Sequence, residues 1–291
     1  MYPSIRDVNL IHGGFENIAE GLSYLGLDAI EVNIDREMKV RAISPTKQRP
    51  EFVLNSAEAI EDYKNHLAEH RVRATSFLVA NNFNADDVAA EIDWVVRVVN
   101  AAHALGMPVV RIDAAMRGER ELPFEERTQR FVSCMKEVVA QTSDTDVELG
   151  IENHGRQGND PQFLKAVLEA VGSERVGLTI DTGNFYWRGH PLERVYDILS
   201  ELAPLAKHTH IKNISYPEQM RNTEREVGYE YGKYVCPIPD GDIDHARVVD
   251  ILRAAGYERD LCIEDESLGK FPQRERRKVL KRDVEYLRSL C

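Results

Sequence analysis

The sequence predicts an α/β barrel in which eight strands alternate with eight helices, and three observations carry that expectation. Windows with helical spacing of apolar residues alternate regularly with short β-rich runs. The length of 291 residues suits a barrel with one enlarged connection. The main rival, an open doubly wound sheet, normally shows a glycine-rich phosphate loop after its first strand, and Gly13 and Gly14 fit neither GxGxxG nor the P-loop.

In chain order, the predicted strands are VNLI (8–11), DAIEVN (28–33), VRATSFLV (72–79), PVVRID (108–113), VELGIE (147–152), VGLTID (176–181), AKHTHIK (206–212) and DLCIED (260–265). Most are nearly continuous apolar runs, as expected where helices cover one face and packed side chains fill the other. Helices are predicted near 15–25, 56–70, 87–105, 123–142, 161–171, 191–203, 244–255 and 273–290. The first of them, FENIAEGLSYL, hands over to its strand through Gly26, a residue favoured just past a helix end. No Pro/Gly/Ser-rich linker or repeat interrupts the pattern, so one domain over 1–291 is expected. The stretch 213–243, with four Tyr and three Pro, is too long for an ordinary connection and reads as an extended functional loop on the barrel's mouth.

Composition narrows the function. Lys and Arg total 37 against 49 Asp and Glu, a net charge of −12, so DNA or an anionic membrane surface would be repelled. No signal peptide or bilayer-spanning run is evident, which predicts a cytoplasmic protein without nucleic-acid or membrane partners. Cys134, Cys236, Cys262 and Cys291 form no CxxC pair and suggest neither a zinc cage nor a disulfide framework.

Barrel chemistry sits at the C-terminal ends of strands, and four consecutive late strands end in ionisable groups. These are Glu152, Asp181, His210 and Glu264, spaced by 29, 29 and 54 residues, with the last interval enlarged by 213–243. A lone strand-end carboxylate is commonly a helix cap or an ion-pair partner. Four on adjacent strands converge on one rim, however, and three carboxylates with one imidazole suit a divalent ion of the Mn, Mg, Co or Zn type. In HTHIK, His208 and His210 share one strand face by the period of two; His210 is nearer the mouth, and His208 is expected in the core.

ENHG, IDTGNFYWRG, HTHIKN, PIPDGDID and CIEDES, in this order, make the chain similar to the xylose isomerase-like TIM barrel superfamily of sugar-phosphate isomerases and epimerases. The resemblance implies one divalent metal, often Mn, held by Glu152, Asp181, His210 and Glu264. In ketose 3-epimerases of that superfamily the first and last of these also form the acid–base pair, which assigns both roles to Glu152 and Glu264. Those epimerases tend to have a histidine where this chain has Asn184, a departure that weakens a 3-epimerase assignment.

The chemistry expected is proton transfer next to a ketone. A metal on the carbonyl and neighbouring hydroxyl oxygens stabilises an enediolate, while one carboxylate removes a proton and another returns it. His154, Asn184, Lys212 and Arg111 are candidate substrate contacts. Glu31 is a further candidate pocket group, and Tyr186 and Trp187 are candidate ring-stacking residues. The alternatives for these groups are a loop histidine, salt bridges, a buried ion pair and loop anchors. The partner expected is a small sugar or polyol, with a homo-oligomer possible. Rival readings are a dehydratase or lyase acting on a keto-inositol or 3-keto-sugar, an apurinic endonuclease-like enzyme, and a non-catalytic sugar-binding barrel.

Overall fold

The computed structural model describes residues 1–291. Eight parallel strands form the barrel: β1 (Tyr2–Arg6), β2 (Ala29–Asn33), β3 (Arg73–Val79), β4 (Val109–Asp113), β5 (Glu148–Glu152), β6 (Val176–Asp181), β7 (Ala206–His210) and β8 (Asp260–Ile263). Their hydrogen-bonded order begins at β8, continues to β1 and then runs in sequence to β7. The last seam, between β7 and β8, is bridged by Ile211 against Ile263. There Ile211 N–H donates to the Cys262 carbonyl at 2.8 Å and Glu264 N–H to the Ile211 carbonyl at 3.0 Å.

Eight longer helices surround the strands: α1 (Ile18–Leu25), α2 (Ala57–Glu69), α3 (Val88–Leu105), α4 (Phe124–Gln141), α5 (Pro161–Val171), α6 (Leu192–Leu202), α7 (His245–Ala254) and α8 (Gln273–Leu290). Side-chain oxygens of Asn17, Ser56, Asp87, Asp160 and Asp244 cap five of them, each accepting from a backbone N–H of the first turn. The apolar stripes of the helices pack on the strands in one cluster of 71 buried residues. Within it Phe131 of α4 meets Phe83 and Phe163 edge-on at 5.2 and 5.5 Å, joining α4 to α5 and to the segment after β3. No helix is long and apolar enough to cross a membrane.

The first strand is displaced from its predicted place. VNLI (8–11) lies in a short helix, Asp7–His12, and β1 is the preceding Tyr2–Arg6. A four-residue apolar run does not distinguish strand from helix by periodicity, and Pro3 argues against a strand in the stretch that forms one. Tertiary pairing decides the matter, since Tyr2–Ile5 match Asp260–Ile263 residue for residue.

Two bulges adjust the register on the way to the site. Between β2 and β3, Ile30 pairs with Ala74 and Glu31 with Ser76, so Thr75 is skipped. Between β6 and β7, Leu178 pairs with Ala206 and Thr179 with His208, so Lys207 is skipped and Asp181 comes to face His210. The residue facing bulged Lys207 is Gly177, where an added Cβ would stand 2.7 Å from the lysine stem. The segment 213–243 is ordered by a two-stranded hairpin (Asn213–Ile214 with Val235–Cys236), two single-turn helices and a 3-10 turn.

Candidate metal centre

Glu152, Asp181 and His210 end β5, β6 and β7, and Glu264 directly follows β8. All four are buried, and each offers one ligand atom within 4.8 Å of the others. Local structure aims them. Asp181 Oδ1 accepts from the backbone N–H groups of Gly183 and Asn184, each at 2.8 Å, which turns Oδ2 toward the barrel axis. Asn184 Nδ2 donates to Glu152 Oε1 at 3.2 Å. His210 Nε2 faces Glu31 Oε2 at 2.9 Å, leaving Nδ1 3.4 Å from Glu152 and 3.6 Å from Glu264.

Charged neighbours hold the carboxylates together. Arg111 is bonded to Glu152 and Arg6 to Glu264. Lys212 Nζ stands 3.0 Å from Asp181 Oδ2, 3.1 Å from Glu264 Oε2 and 3.5 Å from Glu266. Its stem runs over Gly183, where a Cβ would come within 2.7 Å of it. Burial alone would raise Glu152, but Arg111 and His210 outweigh it and hold the carboxyl well below its usual range. Lys212 and Arg6 do the same against burial at Glu264. Burial pushes Asp181 well up; Lys212 opposes this, and the charges of Glu264 and Glu152 reinforce it.

The donor set fits a divalent cation. His210 Nδ1 is fully buried and has no hydrogen-bond partner, a costly condition unless a further group satisfies it, and Asp181 Oδ2 is met only by the Lys212 ammonium at 3.0 Å. Three carboxylates and an imidazole are the oxygen and nitrogen donors that Mn, Mg, Co or Zn accept.

Above the four residues lies a cavity of about 150 Å³ lined by His154, Asn184, Trp187, Lys212, Tyr231 and Glu266. His154, Asn184 and Lys212 are thus gathered as the strand-end pattern suggested. Arg111 stands apart from this lining: it is buried behind Glu152, with its remaining contacts to the Val79 carbonyl at 2.8 Å and Asp113 at 3.2 Å. Tyr186 faces away from the cavity and donates to Asp242 Oδ2 at 2.9 Å, so it anchors the 213–243 segment. Trp187 does line the cavity.

Sequence reasoning missed four residues. Arg6 was hidden by the misplaced first strand. Asp113 ends β4 just as Asp181 ends β6, a signal available in PVVRID; its Oδ1 lies 2.9 Å from His154 Nδ1. Glu266 follows Glu264 by two, and Tyr231, bonded to it, reaches the cavity from the 213–243 segment, which no local pattern predicts. Burial lowers the His154 imidazole, but the hydrogen bond and charge of Asp113 prevail and raise it to about 9.

A family model described as xylose isomerase-like TIM barrel matches residues 20–290. Among curated proteins, an uncharacterised protein of Methanocaldococcus jannaschii is 23% identical over 141 residues, 47% of this chain, and the match spans less than half (43%) of that protein's length. Among solved structures, the IOLI protein with a bound zinc atom superposes with a TM-score of 0.72 at 15% identity, covering 99% of this chain and 98% of its own. A D-tagatose 3-epimerase-like protein gives 0.65 at 16%, with 99% of both chains covered. The probable 3-DHS dehydratase AsbF of Bacillus anthracis gives 0.66 at 14%, covering 99% of this chain and 98% of its own. At these identities the likeness speaks for the fold, and the neighbours span epimerase and dehydratase chemistry. With the matching model extending over nearly the whole barrel, the chain belongs to the xylose isomerase-like TIM barrel family.

Proposed function

We propose that this protein is a divalent-metal-dependent sugar isomerase or epimerase that moves a proton next to a ketone, with Glu152 and Glu264 as the acid–base pair. The observation that carries the reading is the buried cluster of Glu152, Asp181, His210 and Glu264, whose central imidazole nitrogen, His210 Nδ1, has no hydrogen-bond partner. A bound ion of the Mn type would be held by these four residues and would supply Lewis-acid stabilisation of negative charge on the substrate's carbonyl oxygen.

The protein's own groups do the rest. Arg111 and Arg6 hold Glu152 and Glu264 ionised, so either can take up the proton that leaves carbon and, once protonated, return it. Lys212 and His154 present cationic donors to the cavity, suited to substrate oxygens, and Trp187 offers a flat face to a sugar ring. The substrate we propose for this cavity is a small sugar or polyol.

A second reading, a dehydratase or lyase, is favoured by one feature: the His154 imidazolium, maintained by Asp113, borders the cavity and could protonate a departing hydroxyl. The test is a panel of ketoses, keto-inositols and 3-keto-glycosides incubated with Mn(II)-loaded protein and followed by mass and NMR. An isobaric product is expected. Loss of water would select the dehydratase, and absence of any bindable divalent ion would overturn both readings.

A further inference from the structure

Below the candidate metal centre, the barrel interior holds a line of buried polar groups that the acid–base chemistry does not use. Ser4 Oγ donates to Asp260 Oδ2 at 2.6 Å, and Asp260 Oδ1 faces His208 Nδ1 at 3.2 Å. His208 Nε2 faces Glu31 Oε2 at 2.9 Å, and both Glu31 oxygens lie within 3.0 Å of His210 Nε2. Asp260, His208, Glu31 and His210 are each at most 2% exposed, so water competes for none of these contacts.

Both ring nitrogens of His208 meet carboxylates, which pins the ring between Asp260 and Glu31. His210 differs: Nε2 donates to Glu31, while Nδ1 has no hydrogen-bond partner and points between Glu152 and Glu264. A ring held this way presents its lone pair at Nδ1, and the carboxylate behind it strengthens that donor.

We propose that Glu31 is a positioning residue for the metal centre, and that Asp260 and His208 anchor it, so that the line Asp260–His208–Glu31–His210 sets the tautomer and aim of the ligating ring. The proposal rests on reading the four strand-end groups as the metal centre. Both bulges lie beside the line, at Thr75 next to Glu31's pairing and at Lys207 next to His208, which is where local register must be adjusted to bring the two strands' side chains into one layer.

The test is titration of metal-stripped protein with Co(II), read by visible absorption, together with ring ¹⁵N NMR of the Zn(II)-loaded protein. Wild type is expected to bind with the His210 proton on Nε2. Glu31→Gln should weaken Co(II) binding roughly 10–100-fold, change the band and lose the single tautomer. His208→Gln should act in the same direction to a smaller extent, and decides the matter if Glu31→Gln does not fold. Val32→Ala, which loosens the adjacent core on the opposite face of β2, should leave affinity and band unchanged. Wild-type binding with an unaffected Glu31→Gln overturns the positioning role alone, as does an equal loss in Val32→Ala. Failure of wild type to bind Co(II) overturns the metal centre itself.

Discussion

The two rims of the barrel both carry dense charge, yet they differ in what that charge does. The N-terminal rim has the larger hollow, about 670 Å³, bordered by His103, Asp146, Glu148, Arg175 and Arg259. Its groups stand in matched pairs: His103 with Asp146 at 2.9 Å, exposed to water, and Glu148 with Lys207 at 2.7 Å, half-buried. The C-terminal rim has only about 150 Å³ of space, but its floor gathers three buried carboxylates around an imidazole nitrogen that has no hydrogen-bond partner. Volume is therefore a poor guide to chemistry in this fold. Convergence of buried ligand atoms from neighbouring strand ends is a better one, because carboxylates and an imidazole gathered out of water favour a cation between them.

The contrast can be broken most directly at the acid–base pair. Glu152→Gln and Glu264→Gln should each reduce turnover by ~10³-fold or more while circular dichroism and the unfolding transition stay those of a folded barrel. Substantial activity in either variant removes that residue from the pair. Lys212→Met should lower turnover by about 10²-fold through loss of a cationic donor at the cavity. Its metal content, measured by plasma emission, should be maintained or raised, since an ammonium no longer stands between Asp181 and Glu264; metal loss would instead make Lys212 a support of the site.

The rims should also differ in response to acid. His245, at the head of α7, lies 3.3 Å from Thr182 Oγ1 and 3.5 Å from Asn213 Nδ2, bracing the segments that follow β6 and β7. Burial lowers its pKa to about 4. The unfolded chain takes up this proton near ~6.5 and the folded one only near 4, so the native state loses stability as pH falls through that window, by at most ~1.4 kcal/mol per unit. Denaturant midpoints at pH 7 and pH 5 should show a smaller difference in His245→Gln than in wild type. The smallest effect on activity is expected at the other rim, where Arg259→Met, which removes a partly buried ion pair with Glu148, should leave turnover unchanged. A large loss of activity there would undo the distinction between the rims.

Much of this arrangement was legible in the sequence because strands and helices announce themselves by different periods. The seven later strands fall where their apolar runs do, and Glu152, Asp181, His210 and Glu264 stand out as the polar ends of those runs. What escaped was set by pairing across the barrel. β1 is specified by its match to β8, so Arg6 and its contact with Glu264 could not be read locally. Tyr231 reaches the cavity only because the 213–243 segment folds back, held by Asp242 against Tyr186 and Tyr216. Arg111 looked like a substrate contact from its place on β4, but a side chain anchored at the Val79 carbonyl and Asp113 serves Glu152 instead.

The skipped Lys207 bears on how this barrel tolerates changes in length. Side chains along β7 alternate, so the bulge is what lets Ala206 pair with Leu178 while His208 and His210 both face inward. Without this one residue the same pairs would form a regular ladder, Ala206 against Leu178 and His208 against Thr179, so Lys207 is the place on β7 where a one-residue change in length is absorbed. Loops such as 213–243 can gain or lose residues at modest cost, whereas gaining or losing one residue between His208 and His210 would put the two imidazoles on opposite faces of β7.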